Sequence, residues 1–361
     1  MHDQQFYRPE LDALRFFAFL GVFCYHAPIG NRHFRSFAGT GAFGMCLFFA
    51  LSAYLLVTIL LLERKASGTI DLKAFAARRI LRIWPPYFLV LFCAYVAGRI
   101  WPAVYVPGHA LLAFSLLAGN IYFLKQGWVL PTIMVLWSIS VEEQFYVAVP
   151  VLTKFASRRL LYCISIATIA LAYATLIWLG KYGTTTEAGV WANSFVQFQF
   201  FASGALIALI LERRVMSASR GLRAVLWMLG PICWFASIRL VHLFAPSPTP
   251  ARLVIGYLLA LLGTVSVFFS VMDVKVHVPA ALVYLGKISY GLYLFHQIWI
   301  SLFYDTFGPW YRIDYFQQHK TQGSLLALCG TIVTAALSYH FFERKILRYR
   351  ERFEIVHTRP A

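Results

Sequence analysis

LRFFAFLGVFCYH, residues Leu14–His26, is apolar except for Arg15 near its start and His26 at its end. Read as a helix, the two polar residues lie eleven positions apart. At about 100° per residue, that spacing is three turns plus roughly 20°, so both share one face about 16 Å apart along the axis. A charge facing lipid costs several kcal/mol, which turns such a face toward a bundle interior or a wet cavity. Two plainer roles are open to the pair: an arginine that snorkels to the interface, and a histidine that hydrogen-bonds a neighbouring helix.

The rest of the chain says why lipid is the relevant solvent. Its 361 residues are 60% hydrophobic, 17% aromatic and only 13% charged, where a soluble protein carries about 25% charged residues. Mean hydropathy is +0.66. This is the composition of a polytopic membrane protein. The net charge of +17 would suggest nucleic acid on a soluble domain; on a membrane protein it reads as basic loops on one side, and no nucleic-acid partner is expected. Cys24, Cys46, Cys93, Cys163, Cys233 and Cys329 all fall in apolar runs without a C-x-x-C pair. They read as buried thiols, with neither a disulfide framework nor a metal site. The polar start MHDQQFYRPELDALR and the lack of a small-residue cleavage site make the first span a retained signal anchor.

Apolar runs near 11–28, 42–62, 83–101, 131–152, 160–179, 194–211, 222–244, 253–272, 288–304 and 324–342 predict ten spans. The run at 110–124 is too short to span and reads as re-entrant or interfacial. With both termini cytoplasmic, the inside segments hold 22 Lys and Arg and the outside segments 9, and Arg15 lies within the first span. The asymmetry holds loop by loop, so N-in and C-in is the expected topology. No internal repeat is visible, which weighs against an inverted-repeat transporter. The fold class is all-α, a polytopic transmembrane helical bundle forming one membrane-embedded domain over 1–361.

Further polar residues interrupt other spans. WSISVEEQFY (137–146) places Glu142 and Glu143 on one helix, where only one of two neighbours can face a given cavity squarely; Glu142 falls beside Phe145 and Tyr146. GKISYGLYLFHQ (286–297) carries Ser289, Tyr293 and His296, and LFFALSAYL (47–55) carries Ser52. RRILRIWPPYF (78–88) reads as a basic cytoplasmic hinge that ends in Pro85-Pro86 at a helix start. Arg78, Arg79 and Arg82 there are either positive-inside anchors or phosphate clamps, since guanidinium forks match phosphate oxygens. Aromatics of the outside loops, Trp101, Tyr105, Trp310, Tyr311 and Tyr315, suit either sugar stacking or an interfacial belt.

A cavity with His, Glu and Arg, open to a basic rim, suits chemistry on a phosphate-bearing donor. A neutral histidine can take a hydroxyl proton as that hydroxyl attacks an acyl thioester, and a carboxylate can steady the imidazolium that forms. No G-x-S-x-G elbow is present, which favours direct transfer over a serine acyl-enzyme. The same groups would also serve a proton relay.

In order along the chain, YRPELDALRFFAFLGVFCYH, GMCLFFALSAYLL, FAARRILRIWPPYF, LWSISVEEQFYVAVP and LGKISYGLYLFH resemble the motifs of the acyltransferase 3 family of integral membrane acyltransferases. The resemblance covers nearly the whole length. It implies transfer of an acyl group, most often acetyl, from acyl-CoA to a hydroxyl of a carbohydrate. Carried over, His26 is the expected base and Arg15 its partner in the signature, while Glu142 is the motif carboxylate and ranks above Glu143. Arg79 and Arg82 match the cytoplasmic basic motif and are expected to contact the CoA phosphates. The chain departs from the family at Ala53, where a glycine usually follows the serine, and at Asp12-Ala13-Leu14-Arg15, where Asp-Gly-Leu-Arg is common. Some relatives carry an appended extracytoplasmic hydrolase-like domain, which is not expected here.

The resulting expectation is an acyl-CoA-dependent O-acyltransferase of the bacterial inner membrane, with no metal. Its acceptor would be O-antigen of lipopolysaccharide, exopolysaccharide or a lipid-linked glycan. The alternatives are acylation of a small glycosylated metabolite such as a macrolide, and a proton-coupled transporter.

Overall fold

The computed structural model describes residues 6–29, 32–101, 104–183, 186–212, 218–274, 277–306 and 319–354, together with Val356. Among them, regular structure is helical, without strands. The helices are α1 (Pro9–His26), α2 (Arg32–Ala38), α3 (Gly44–Ser67), α4 (Leu72–Ile100), α5 (Gly108–Ser115), α6 (Gly119–Gln126), α7 (Trp137–Phe155), α8 (Arg158–Tyr182), α9 (Glu187–Trp191), α10 (Ser194–Leu211), α11 (Arg220–Arg239), α12 (Pro250–Val271), α13 (Ala280–Lys287), α14 (Ser289–Ser301), α15 (Lys320–Leu337) and α16 (Arg344–Arg350). Short 3-10 turns at Gly39–Phe43 and Pro131–Leu136 lead into α3 and α7, and a π turn at Ser338–Glu343 joins α15 to α16.

Among the described residues, eight helical segments are long and apolar enough to cross a membrane, against ten expected spans. The first and ninth expected spans are the two that fall short. α1 is 18 residues long but carries Glu10, Asp12 and Arg15. The ninth, 288–304, starts at the break at Ile288 that follows α13, and consists of the 13-residue α14 and a π turn at Leu302–Thr306. Both lie inside the bundle. α1 packs against α3, α13 and α14, so protein rather than lipid surrounds its polar groups and the break. The short run at 110–124 becomes two eight-residue helices, α5 and α6, and spans nothing.

Layering follows burial. The span built on α3 is 67% buried over its apolar window, whereas that of α11 is 17% buried. α3 is therefore central, and α11 is an outer helix that pairs with α12. Cys93, Cys163 and Cys329 sit on outward faces, so only Cys46 and Cys233 are fully buried thiols and Cys24 is half-buried. All six cysteines are free.

Three local features set the site. α1 opens with Pro9 in its first turn and stops at His26 because Ala27, preceding Pro28, is extended (φ −73°, ψ 130°). α4 starts at Leu72 with Asp71 as its cap, so Pro85 and Pro86 lie inside a 29-residue helix and not at a helix start. Membrane helices accept such prolines because neighbours re-satisfy the freed backbone; next to the Leu81 and Arg82 carbonyls that lose a helical N–H partner, the Ile83 carbonyl accepts from Tyr290 (2.9 Å). The departure at Ala53 is met from the opposite helix: Gly204 of α10 lies against the Ala50 carbonyl and the Ala53 side chain. The close approach of α3 and α10 uses the partner's glycine.

Candidate active site

Three cavities adjoin one another. The first, about 390 Å³, is lined by Arg82, Lys287, Arg344, Arg348 and Arg350, with Glu343, Glu351 and Glu354 also on its wall. We call it the basic cavity. The second, about 140 Å³, holds Arg15, Ser52, Arg79, Glu142 and Tyr146, and shares Arg82, Tyr290 and Arg350 with the first. The third, about 400 Å³, holds His26, Tyr25, Glu187, Trp128, Trp137 and Trp191, and meets the middle one at Met45 and Tyr293. The Arg15–His26 face of α1 therefore runs along two cavities, one residue in each.

The basic motif of α4 splits into two roles. Arg78 is buried and pairs with buried Glu63 (2.8 Å), and it also donates to the Phe353 carbonyl (2.5 Å). Glu63 further accepts from the Asp71 amide (3.0 Å). Arg78 thus joins α3, α4 and the C-terminal segment, which accounts for its charge without a ligand. Arg79 and Arg82 face the cavities instead, and Arg79 lies over the rings of Phe75 (5.6 Å) and Tyr146 (5.9 Å).

In the middle cavity, Ser52 donates to Glu142 Oε1 (2.5 Å) and lies 2.7 Å from the Tyr146 hydroxyl. Tyr146 also hydrogen-bonds the same carboxylate oxygen. The expected turn relation between 142 and 146 holds, and it enlists Ser52 from α3. Arg15 stands 3.6 Å from Asp12 on its own helix. Glu142 lines the cavity of Arg15 and not that of His26.

In the histidine cavity, the Tyr25 ring meets His26 edge-on (4.9 Å between centroids), and the His296 ring lies 5.4 Å from His26. His296 is fully buried, with Nδ1 2.7 Å from the Tyr293 carbonyl. A carbonyl only accepts, so Nδ1 carries the proton and Nε2 is the bare nitrogen. Tyr293 is held by Ser138 (2.8 Å) and the Val135 carbonyl (2.9 Å), which fixes the ring at the junction of two cavities. Glu187 opens α9, where Thr186 caps the Gly189 amide (3.1 Å). Its carboxyl accepts from Tyr25 (3.3 Å), and burial pushes it up from the usual carboxylate range.

All five expected site residues line this string of cavities: His26, Arg15, Glu142, Arg79 and Arg82. Arg350, Tyr146 and Glu187 join them, along with three tryptophans. Arg350 is one of many basic residues in its tail, and Glu187 sits in a polar loop where a carboxylate carries no lipid cost to mark it. Of the loop aromatics, Tyr105 is exposed, while Trp310, Tyr311 and Tyr315 lie outside the described residues. No group of His, Cys, Asp and Glu among the described residues could hold a metal ion.

A bundle with a histidine at one end of a buried polar path and arginines at the other fits the acyltransferases. Residues 8–343 match the family model described as an acyltransferase domain, and the chain belongs to this acyltransferase 3 family. It is 26% identical to a Staphylococcus aureus (strain MSSA476) protein named "Putative O-acetyltransferase", over 98% of this chain and 59% of that one. It is 25% identical to the peptidoglycan O-acetyltransferase OatA of Listeria monocytogenes, over 94% of this chain and 56% of the relative. The O-acetyltransferase OatA of Staphylococcus aureus (strain NCTC 8325 / PS 47) is 24% identical, over 94% and 57% respectively. The chain thus spans less than two thirds of the length of these relatives. No solved structure matches it.

Proposed function

We propose that the chain is a membrane O-acetyltransferase using acetyl-CoA as donor and a carbohydrate hydroxyl as acceptor. The observation that carries this is the succession of the cavities: the first and second share Arg82, Tyr290 and Arg350 in their walls, and the second and third share Met45 and Tyr293. The donor's phosphates sit among the arginines of the basic cavity, where charge-assisted forks favour them. Its long arm reaches through the middle cavity past Arg79 and Arg15. The acceptor occupies the histidine cavity.

There, His26 takes the proton of the attacking hydroxyl. The oxygen adds to the thioester carbonyl, the intermediate collapses to an ester, and the CoA thiolate leaves and is protonated. Glu142, Ser52 and Tyr146 form a fixed polar set along the arm's path. The topology with both termini and the basic cavity on the cytoplasmic side, in a bacterial inner membrane, belongs to the same reading. So does a mechanism that uses no metal. The peptidoglycan named for the Listeria relative is itself a carbohydrate polymer and joins O-antigen, exopolysaccharide and lipid-linked glycans among the candidate acceptors.

The test is purified protein with labelled acetyl-CoA and a panel of glycans. Label on a glycan supports the reading. Uptake of label into proteoliposomes with no covalent product would replace it with a transporter.

A further inference from the structure

Glu142 was the carboxylate expected to work with His26, yet the two line different cavities. The carboxylate that does share a cavity with His26 is Glu187. Its surroundings are those of a sugar site. Half-buried Trp128 offers a flat apolar face of the kind pyranose rings lie on, backed by buried Trp137 and Trp191, and a carboxylate beside such a face accepts paired hydroxyls. The cavity, at about 400 Å³, has room for a sugar ring.

The platform under Glu187 is fixed. Trp191, at the other end of α9, is held by Gln197 donating to its carbonyl (2.6 Å). Its ring lies 6.0 Å from both Phe43 and Tyr257. Asn120 donates to the adjoining Ala192 carbonyl (3.3 Å). A carboxylate has about four acceptor positions, and Tyr25 uses one of them on Oε1. Tyr25 in turn edges onto His26, so a hydroxyl held by Glu187 lies in the neighbourhood of the proposed base.

We propose that Glu187 orients the acceptor, taking hydroxyls of a neutral sugar stacked on Trp128 and disfavouring acidic sugars. This rests on the acetyl-transfer reading only for the identity of the cavity as the acceptor's. The sugar site itself follows from the cavity's walls. Glu187 is a positioning residue, and the charge is the part of it that selects.

The experiment separates charge from structure. Glu187→Gln retains an oxygen for Tyr25 and removes the charge. Tyr25→Phe removes that hydrogen bond and keeps the charge. Both variants and wild type, purified in detergent, are titrated with methyl N-acetylglucosaminide and with methyl glucuronide, following tryptophan fluorescence. Wild type should bind the neutral sugar at least about tenfold more tightly than the acid. Glu187→Gln should lose about tenfold in affinity for the neutral sugar, equivalent to about 1.4 kcal/mol, and bring the ratio of the two close to one. Tyr25→Phe should keep the preference. Equal wild-type binding of both sugars, binding of neither, or an unchanged ratio in Glu187→Gln overturns the proposal. Acetyl transfer is measured alongside: sugar binding with the expected preference but no transfer would sink the enzymatic reading and leave the sugar site standing.

Discussion

The imidazoles of His26 and His296 stand 5.4 Å apart, centroid to centroid, with their planes at 45°. His296 is fully buried and keeps its proton on Nδ1, toward the Tyr293 carbonyl, and its Nε2 has no hydrogen-bond partner among the described residues. His26 is half-buried and lines the cavity. The accessible ring is the one placed to meet a hydroxyl, and the buried ring backs it.

His26→Ala should therefore abolish acetyl transfer, a loss of at least the 10²–10⁴-fold typical of general bases. Membrane yield and melting temperature should stay near wild type. His296→Gln should reduce turnover less, because His296 supports rather than contacts the acceptor. Side-by-side transfer assays decide it, and near-normal turnover in His26→Ala would remove it from the chemistry.

The three arginines of α4 should separate into two phenotypes. Replacing Arg79 and Arg82 together with Gln should raise the KM for acetyl-CoA, roughly tenfold for each 1.4 kcal/mol of bonding lost. Arg78→Gln should act on folding instead. It leaves the buried Glu63 charge uncompensated, which typically costs about 3–5 kcal/mol. Donor titrations and melts in detergent distinguish the two, and a stable Arg78→Gln with raised KM would reverse the assignment.

Glu142→Gln should damage activity while leaving acceptor affinity intact, since Glu142 faces Ser52 and Tyr146 and not the histidine cavity. Glu143→Gln should be the milder change. Steady-state kinetics with each substrate varied in turn will show whether the acceptor KM moves. If it rises in Glu142→Gln, the carboxylate reaches the acceptor after all.

Packing makes a separate prediction. A methyl at Gly286 would overlap the Asp12 backbone, where α13 crosses α1, and one at Gly204 would overlap the Ala50 carbonyl of α3. Gly286→Ala and Gly204→Ala should each cost about 1–3 kcal/mol through overpacking. Denaturation midpoints in detergent provide the check. Gly108→Ala, where nothing lies within reach of an added methyl, is the control.

Asp71 offers a pH test. The Ala74 and Lys73 amides bond its carboxylate and hold its pKa below the usual value. A depressed folded-state pKa stabilises the fold above the ordinary carboxylate pKa, and that contribution is lost as pH falls through the lowered value. Asp71→Asn should melt slightly below wild type at about pH 7, and the gap should close toward about pH 3. A gap that persists unchanged would assign the effect to something other than the charge.

Much of this was legible in the sequence because lipid penalises polar groups. Arg15, His26 and Glu142 stood out as costly residues in apolar runs, and each lines a cavity. Helical periodicity correctly put 142 beside 146. What composition could not convey was which helices are enclosed by others. α1 and the α13–α14 break are too polar or too short for a lipid-exposed span, and only their central position explains them. Glu187 and the cavity tryptophans were hidden for the opposite reason: they come together only through the fold, from segments 128, 137 and 187–191.

The meeting of two cavities at Met45 and Tyr293 has an electrical side. A bilayer insulates by its thickness, and cavities that stand end to end shorten the insulating stretch to the walls between them. Moving one elementary charge through 100 mV is worth about 2.3 kcal/mol, so in an energised membrane most of that drop would fall across whatever separates the two chambers. Tyr293, pinned by Ser138 and the Val135 carbonyl, is then as much a dielectric wall as a lining residue. Its two hydrogen bonds hold that wall in one position.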